Sequence, residues 1–257
     1  MPHLRRGLAW LAACALVAFI AVPIVALAIR TNPATFVAAI ATPQALQALR
    51  LSACTTAVTL GAAIALGTPL AYLLARSESR FRRLLDAIVD LPIVLPPAVA
   101  GVALLVAFGR RGLLGPALDA AGIHLSFTTA AVVMAQLFVS VPFYVRAARN
   151  GFLSVDRTLE EASETLGYGA VGTFMRITVP LAMPSLIGGA MLTWARALGE
   201  FGATIMFAGN LPGVSQTVPL AVYLNLEGGD IATATSLSLV LVAASVAVLA
   251  VVRLAER

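Results

Sequence analysis

Charge is scarce in this sequence, and one of the charged residue types is missing altogether. Asp, Glu, Lys and Arg together make up 11% of the 257 residues, whereas a soluble domain carries about 25%. The sequence contains no lysine, so all 17 basic residues are arginines. With 60% hydrophobic residues and a mean hydropathy of +0.95, this composition excludes an ordinary soluble protein and predicts a polytopic helical membrane protein.

Cysteine and histidine are almost absent too, and neither forms a recognisable site. Cys14 and Cys54 lie in two separate apolar stretches, and His3 and His124 stand far apart in the chain. Metal sites read from sequence need several such residues at short, regular spacings. The sequence therefore predicts two free thiols, no metal site and no bound cofactor.

The sequence also has no motif for chemistry of its own. A phosphate-binding loop of the GxxxxGK[ST] type needs a lysine, and the chain has none. No Ser/His/Asp arrangement and no internal repeat are visible, and no polar interval is long enough for an attached soluble domain. We therefore predict a protein that is not an enzyme, with a single membrane domain over residues 1–257.

A formal net charge of +5 and an isoelectric point near 10.0 raise the question of nucleic-acid binding. The arginines, however, fall mostly in short segments between apolar stretches, where lipid headgroups and membrane topology account for them. The expected partner of these charges is therefore the lipid bilayer, and nucleic acid is not an expected partner.

Apolar segments long enough to cross the roughly 30 Å hydrocarbon core of a bilayer recur along the chain. The first of them, Gly7 to Ile29, exceeds the core of a secretory signal peptide and is predicted to remain as a helix. Threonines in the second are expected to hydrogen bond within that helix or across to a neighbour. We predict an all-α fold with six transmembrane helices at about 8–29, 51–75, 88–108, 127–147, 181–207 and 231–252.

The distribution of arginines predicts the orientation in the membrane. With a cytoplasmic N-terminus, only four arginines outside the spans, Arg30, Arg50, Arg110 and Arg111, fall on the outer side. The excess on the inner side fits the positive-inside rule, so both termini are predicted to be cytoplasmic. The twelve arginines on the inner side are Arg5, Arg6, Arg76, Arg80, Arg82, Arg83, Arg146, Arg149, Arg157, Arg176, Arg253 and Arg257.

The segment between the fourth and fifth spans is polar and faces the cytoplasm in this topology. Ser154 or Asp156 can cap a helix over about 155–167, and Gly167 can end it in the left-handed conformation. Glu160 and Glu161 fall in its first turns, where negative charge suits the helix dipole. One face of this helix carries Leu159, Ala162 and Leu166.

The spacing of residues in and after this helix resembles the cytoplasmic motif of the membrane subunits of bacterial ABC importers. That motif is Glu-Ala-Ala, three residues, Gly, nine residues, Ile, one residue and Leu-Pro. Here Ser163 replaces the second Ala and Val179 replaces the Leu, and both changes keep size or apolarity. The residues in register with the motif are Glu161, Ala162, Gly167, Ile177 and Pro180.

This resemblance implies that the helix over 155–167 couples the chain to a cytoplasmic ATP-hydrolysing subunit. It further implies an inner-membrane complex of two permease copies and two ATPase subunits, with a substrate-binding protein on the outside. The chain would then line the transport pathway while its partners bind ATP and capture the solute. The coupling residues that the resemblance implies are Glu161, Ala162, Ser163, Gly167, Ile177 and Pro180.

A second resemblance concerns the substrate. The stretch from Trp194 to Tyr223 is similar to the fifth-helix region of oxyanion permeases, most closely of molybdate permeases. It implies import of an oxyanion, with molybdate first and sulfate, thiosulfate or tungstate as the alternatives.

Two charges fall inside the fifth predicted span. Arg196 and Glu200 are four residues apart and therefore share one helix face. Because a charge at the membrane centre is costly, the pair should face the bundle interior, a water-filled path or a subunit interface. Two interpretations stay open: the pair lines or gates the pathway, or it fixes helix packing while Glu200 neutralises Arg196.

Two further classes of protein compete with an ABC permease. A stand-alone secondary transporter predicts repeat symmetry and more intramembrane acids, and the sequence shows neither. A membrane scaffold without a transport role leaves the cytoplasmic motif unexplained.

Overall fold

The computed structural model describes the backbone of residues 2–77 and 79–255, and every regular element in these ranges is a helix. The predicted all-α fold is confirmed. Arg257 lies outside the described residues, as do the side chains of Arg5, Arg80 and Arg253. The helices are α1 (Pro2–Arg30), α2 (Pro33–Ile40), α3 (Pro43–Arg76), α4 (Arg80–Val94), α5 (Pro97–Phe108), α6 (Gly115–Ala120), α7 (Thr129–Leu153), α8 (Arg157–Thr165), α9 (Ala170–Thr173), a π-helical turn (Phe174–Thr178), α10 (Val179–Leu198), α11 (Gly202–Phe207), α12 (Val218–Glu227) and α13 (Ile231–Ala255).

Within the part of the chain that the structure describes, five helical segments are long and apolar enough to cross a membrane, and a sharply bent pair makes a sixth if it counts as one span. Most of them extend past the predicted span at one end or both. The second, for example, begins at Pro43 rather than 51, because the hydroxyl of Thr42 accepts the Ala45 N–H (3.2 Å) and caps the helix there. The five segments are Ala9–Arg30, Pro43–Arg76, Thr129–Leu153, Ala170–Leu198 and Ile231–Ala250.

The third predicted span, 88–108, is not one continuous helix. It divides into α4 and α5, whose axes differ in direction by 117°. Pro96 and Pro97 follow the break, and Leu95 before them is extended (ψ 134°). Proline has no N–H to continue a helix and disfavours helical backbone in the preceding residue. The 12 residues of α5 extend only about 18 Å, too short to cross the hydrocarbon core alone.

The fifth predicted span, 181–207, is also interrupted. Its helix ends at Leu198, and the chain is non-helical over 199–201 before α11 begins at Gly202. At its other end the helix runs back through the π-helical turn to Ala170, well before the predicted start. The fifth span therefore begins nearer the preceding polar segment than predicted. A break separates its long helix from the six residues of α11.

Three long helices, α3, α7 and α10, form the centre of the bundle. Polar side chains join them inside the bundle: the Thr59 hydroxyl donates to Gln136 Oε1 (3.1 Å), and the hydroxyls of Thr68 and Tyr144 lie 2.7 Å apart. Buried polar groups of this kind need partners because the membrane offers none. The helix α1, by contrast, buries none of its apolar segment within the chain.

The short helices α5 and α11 approach each other so closely that a side chain larger than that of glycine would not fit at the contact. A Cβ on Gly101 would lie 2.6 Å from the Ala203 carbonyl oxygen, and one on Gly202 would lie 2.9 Å from Pro97 Cβ. Small residues commonly permit such close backbone contact between membrane helices. The second halves of the two broken spans are thus packed on each other.

Candidate functional site

The polar helix α8, predicted to be cytoplasmic, is a nine-residue element, Arg157–Thr165, slightly shorter than the predicted 155–167. Asp156 is its N-cap: the carboxylate accepts the Thr158 N–H at 2.9 Å, and this hydrogen bond lowers the pKa of Asp156. Ser154, the other predicted cap, belongs to the end of α7, where its hydroxyl donates to the Gly151 carbonyl (2.7 Å).

Gly167 ends this helix in a left-handed conformation with φ +89°. The Gly167 N–H donates to the Glu164 carbonyl (2.9 Å), and the Tyr168 N–H donates to the Ser163 carbonyl (3.2 Å). These two bonds make a Schellman motif, which satisfies carbonyls that the helix leaves free and reverses the chain direction. The positive φ at Gly167 is the reason this position favours glycine.

Two side chains fasten α8 to the membrane helices. Glu160 Oε1 lies 2.6 Å from Arg76 Nη2 at the end of α3, and the same oxygen accepts a hydrogen bond from the Thr178 hydroxyl. The hydroxyls of Ser163 and Thr173 lie 3.0 Å apart and are buried. Neither Glu160 nor Arg76 was among the predicted coupling residues, because no sequence signal links two positions 84 residues apart.

A shallow apolar groove of about 380 Å³ runs between α8 and the start of α10. Four of the predicted coupling residues line it: Ala162, Ser163, Ile177 and Pro180. Glu161 and Gly167 are exposed but do not line it. The remaining lining residues are Leu159, Leu166, Tyr168, Arg176 and Leu181.

The edge of the groove carries a stacked cation. The Arg176 guanidinium lies 4.8 Å from the centroid of the Tyr168 ring, within the range of a cation–π interaction. An exposed surface with an apolar floor, acidic neighbours and one stacked arginine suits a protein partner better than a small ligand. Among the described residues, no group of three or more His, Cys, Asp and Glu side chains is placed to hold a metal ion.

The two intramembrane charges form an ion pair at the break between α10 and α11. Arg196 Nη1 lies 2.6 Å from Glu200 Oε2, and the other carboxylate oxygen accepts the Ala203 N–H (2.8 Å) at the start of α11. Glu200 is 1% exposed and Arg196 is 28% exposed.

Glycines flank Glu200 on both sides, but only one of them makes room for another helix. Gly202 lies against Pro97 and Ala98 of α5, whereas Gly199 approaches only its own helix. Glu200 thus caps α11 while α11 packs on the bent third span. Along α10, Pro180 and Arg196 stand about 24 Å apart, so the groove and the ion pair are separate sites on one helix.

The family model that matches this chain is that of the binding-protein-dependent transport system inner membrane component, over residues 67–257. A molybdenum transport system permease protein, ModB, of Mycobacterium tuberculosis is 46% identical over 238 residues, covering 92% of this chain and 90% of the relative. ModB of Escherichia coli K12 is 42% identical over 187 residues, or 72% of this chain and 82% of the relative.

Solved structures show the same fold. A subunit of the bacterial ABC transporter that imports the acidic polysaccharide alginate aligns with a TM-score of 0.72 at 15% sequence identity. The alignment covers 96% of this chain and 94% of that chain. The helical architecture, the long match to the family model and the identity to full-length relatives agree, and the chain belongs to the family of inner membrane components of binding-protein-dependent transport systems.

Proposed function

We propose that this chain is the membrane-spanning permease subunit of an ATP-driven importer for molybdate. The observation that carries the proposal is α8: an exposed polar helix, capped at both ends and fastened to α3 and to the start of α10. The substrate is inferred from relatives described as molybdenum transport permeases, which match over most of their length. Residues 1–257 act as one permease domain in this proposal.

The cytoplasmic surface of α8 is the docking point for the ATPase subunit. Glu161 and Ala162 are exposed there, and an apolar side chain of the partner can bind in the groove beside them. A helix of nine residues bound in a cleft transmits a displacement as a rigid body. Two ATPase subunits, a second permease copy, an external binding protein and cytoplasmic termini complete the proposed assembly.

Arg196 supplies the positive charge of the proposed pathway. Because more than a quarter of the Arg196 side chain is exposed and a bare cation in lipid is costly, its open side faces water or a second copy. A doubly negative oxyanion passing there meets Arg196, while the buried Glu200 limits how strongly the anion is held. Weak retention favours transport, since the solute must also leave.

The substrate is tested with the purified permease, its ATPase subunit and its binding protein in liposomes. Molybdate should stimulate ATP hydrolysis and be taken up only with ATP present. Sulfate, thiosulfate and tungstate are the comparison anions, and stronger stimulation by one of them would replace molybdate in the proposal. Uptake that persists without the ATPase subunit would reject an ABC importer altogether.

Docking through α8 is tested by co-purification of the ATPase subunit with permease variants. Glu161→Ala should reduce the amount of ATPase subunit recovered, because it removes an exposed charge from the docking face. Glu164→Ala is the matched control: this exposed glutamate lies on the same helix, three residues on, at a position that the motif leaves unspecified. Equal recovery with both variants would remove Glu161 from the interface.

A further inference from the structure

We infer that Glu160 is the positioning residue that links α8 mechanically to α3 and α10, through Arg76 and Thr178. The inference rests on the proposed function, because it assumes that α8 receives its displacement from an ATPase subunit. It concerns the inner side of α8, which faces the membrane helices, and not the docking face that carries Glu161 and Ala162.

One carboxylate oxygen makes both connections. Glu160 Oε1 is 2.6 Å from Arg76 Nη2 and also accepts the Thr178 hydroxyl hydrogen. Arg76 is in the last turn of α3, and Thr178 ends the π-helical turn directly before α10. Both side chains of the ion pair are largely buried, with 16% of Arg76 and 12% of Glu160 exposed. A shift of α8 therefore moves two transmembrane helices through the same atom.

The receiving end of the link is rigid. Tyr72, one turn before Arg76, packs edge-on against Phe152 of α7 (5.6 Å between ring centroids) and Phe174 of the π-helical turn (4.9 Å). The Arg76 guanidinium lies 5.8 Å from the Tyr72 ring. Packed aromatic rings transmit displacement because dense interiors deform little. The ion pair thus rests on a cluster that joins α3, α7 and the entry to α10.

The π-helical turn places a threonine at each of its two ends against α8. Thr173, just before the turn, meets Ser163, and Thr178, its last residue, meets Glu160. Turns of this kind are rare and concentrate at functional sites, since the wider turn changes which residues face a neighbour. Here Glu160 and Ser163, three residues apart on one helix face, are held by the last residue of the turn and by the residue just before it.

The strength of the ion pair suits a mechanical role. Exposed ion pairs contribute little because water and salt screen them. A largely buried pair is screened less, and removing one partner leaves the other charge uncompensated. Loss of the Glu160 charge should therefore loosen α8 from α3 without altering the docking face.

The test uses the full importer in liposomes and three measurements: recovery of the ATPase subunit, ATP hydrolysis, and molybdate taken up per ATP. Glu160→Gln should leave recovery and hydrolysis close to wild type and lower the molybdate-to-ATP ratio about tenfold, a usual size for energetic coupling between sites. Arg76→Gln should have the same effect. The charge-swapped double variant, Arg76→Glu with Glu160→Arg, should recover most of the ratio.

The matched control is Asp86→Asn, which breaks the partly buried pair of Asp86 and Arg149 between α4 and α7 (3.1 Å). This variant should keep the wild-type ratio. An unchanged ratio in Glu160→Gln, loss of ATPase recovery in that variant, or an equal loss in Asp86→Asn would each overturn the link. Wild-type liposomes without ATP-dependent uptake would instead reject the proposed function itself.

Discussion

At the scale of single residues, the local conformation of Gly167 and the charge of Glu200 matter most. Gly167 has φ +89° with open space around it, so its restriction is backbone strain and not crowding. Glu200 has two tasks, since one oxygen contacts Arg196 and the other caps α11. A substitution at Gly167 tests backbone strain, and a substitution at Glu200 tests the role of its charge.

Gly167→Val should weaken binding of the ATPase subunit about tenfold, because a left-handed backbone costs an L-residue about 1–2 kcal/mol. The Schellman turn that sets the end of α8 would be partly lost. Titration of detergent-solubilised permease with the ATPase subunit measures the change. Gly169→Val is the control, since Gly169 is exposed with φ −70° and ψ 167°, which any residue adopts. Equal affinities for the two variants would contradict the argument.

Glu200→Gln should reduce molybdate uptake roughly fivefold while membrane insertion stays normal, because losing the buried carboxylate leaves the partly exposed Arg196 charge uncompensated at a cost of about 1 kcal/mol. The glutamine can still accept the Ala203 N–H, so the cap of α11 is kept and only the charge is lost. Uptake per inserted permease is the measurement. Glu227→Gln removes an exposed acid at the end of α12 and serves as control. Unchanged uptake in Glu200→Gln would leave the pair a purely structural role.

At the scale of elements, the two broken spans depend on each other. The 12 residues of α5 and the six of α11 are each too short to cross the membrane, and they pack together through Gly101 and Gly202. The two breaks differ in their residues. The break between α4 and α5 is followed by the consecutive prolines Pro96 and Pro97. The break between α10 and α11 contains the buried carboxylate of Glu200. The contact between them keeps both half-spans in place.

Gly101→Ala should destabilise the protein by about 2 kcal/mol, the usual cost of an added methyl group in a packed interior. The new Cβ would meet Ala203 backbone atoms at 2.6 and 2.8 Å, and backbone cannot move aside as a flexible side chain can. Thermal unfolding in detergent should show a lower midpoint. Gly61→Ala, with no neighbour within 4 Å, should keep or slightly raise it. A Gly101→Ala variant as stable as wild type would argue against close α5–α11 packing.

At the scale of the whole molecule, the arginine asymmetry and the position of α8 must agree on one orientation. The groove beside α8 lies at the end of the bundle that carries the ion pairs of Arg76, Arg146 and Arg149. The loop after α5 lies at the other end. Docking to an ATPase subunit is possible only if the α8 end is cytoplasmic.

Single cysteines in a background of Cys14→Ser and Cys54→Ser should report this orientation. Glu164→Cys, exposed on α8, should react with a membrane-impermeant maleimide only in inside-out vesicles. Ala121→Cys, exposed after α6, should react only in right-side-out vesicles. The reverse pattern would place α8 outside and end the proposed coupling to a cytoplasmic ATPase.

Composition and local chemistry alone determined the class of this protein and the place of the polar helix α8 in the chain. Transfer of apolar side chains from water depends on residue type and run length, so membrane segments are readable from the sequence. Helix caps act over a few residues, and so Asp156 and Gly167 bracket α8 within two residues of its predicted limits. A resemblance in spacing then pointed to the ATPase partner.

Only the tertiary structure decided how these pieces meet. Hydropathy reports how favourably a segment enters the membrane, but it does not report the direction of the helix axis. It therefore could not show the 117° bend between α4 and α5. The pairing of Glu160 with Arg76 spans 84 residues, and the close approach of Gly101 to Ala203 joins α5 to α11. Such contacts arise when distant segments pack together, because packing selects partners by distance in space rather than along the chain.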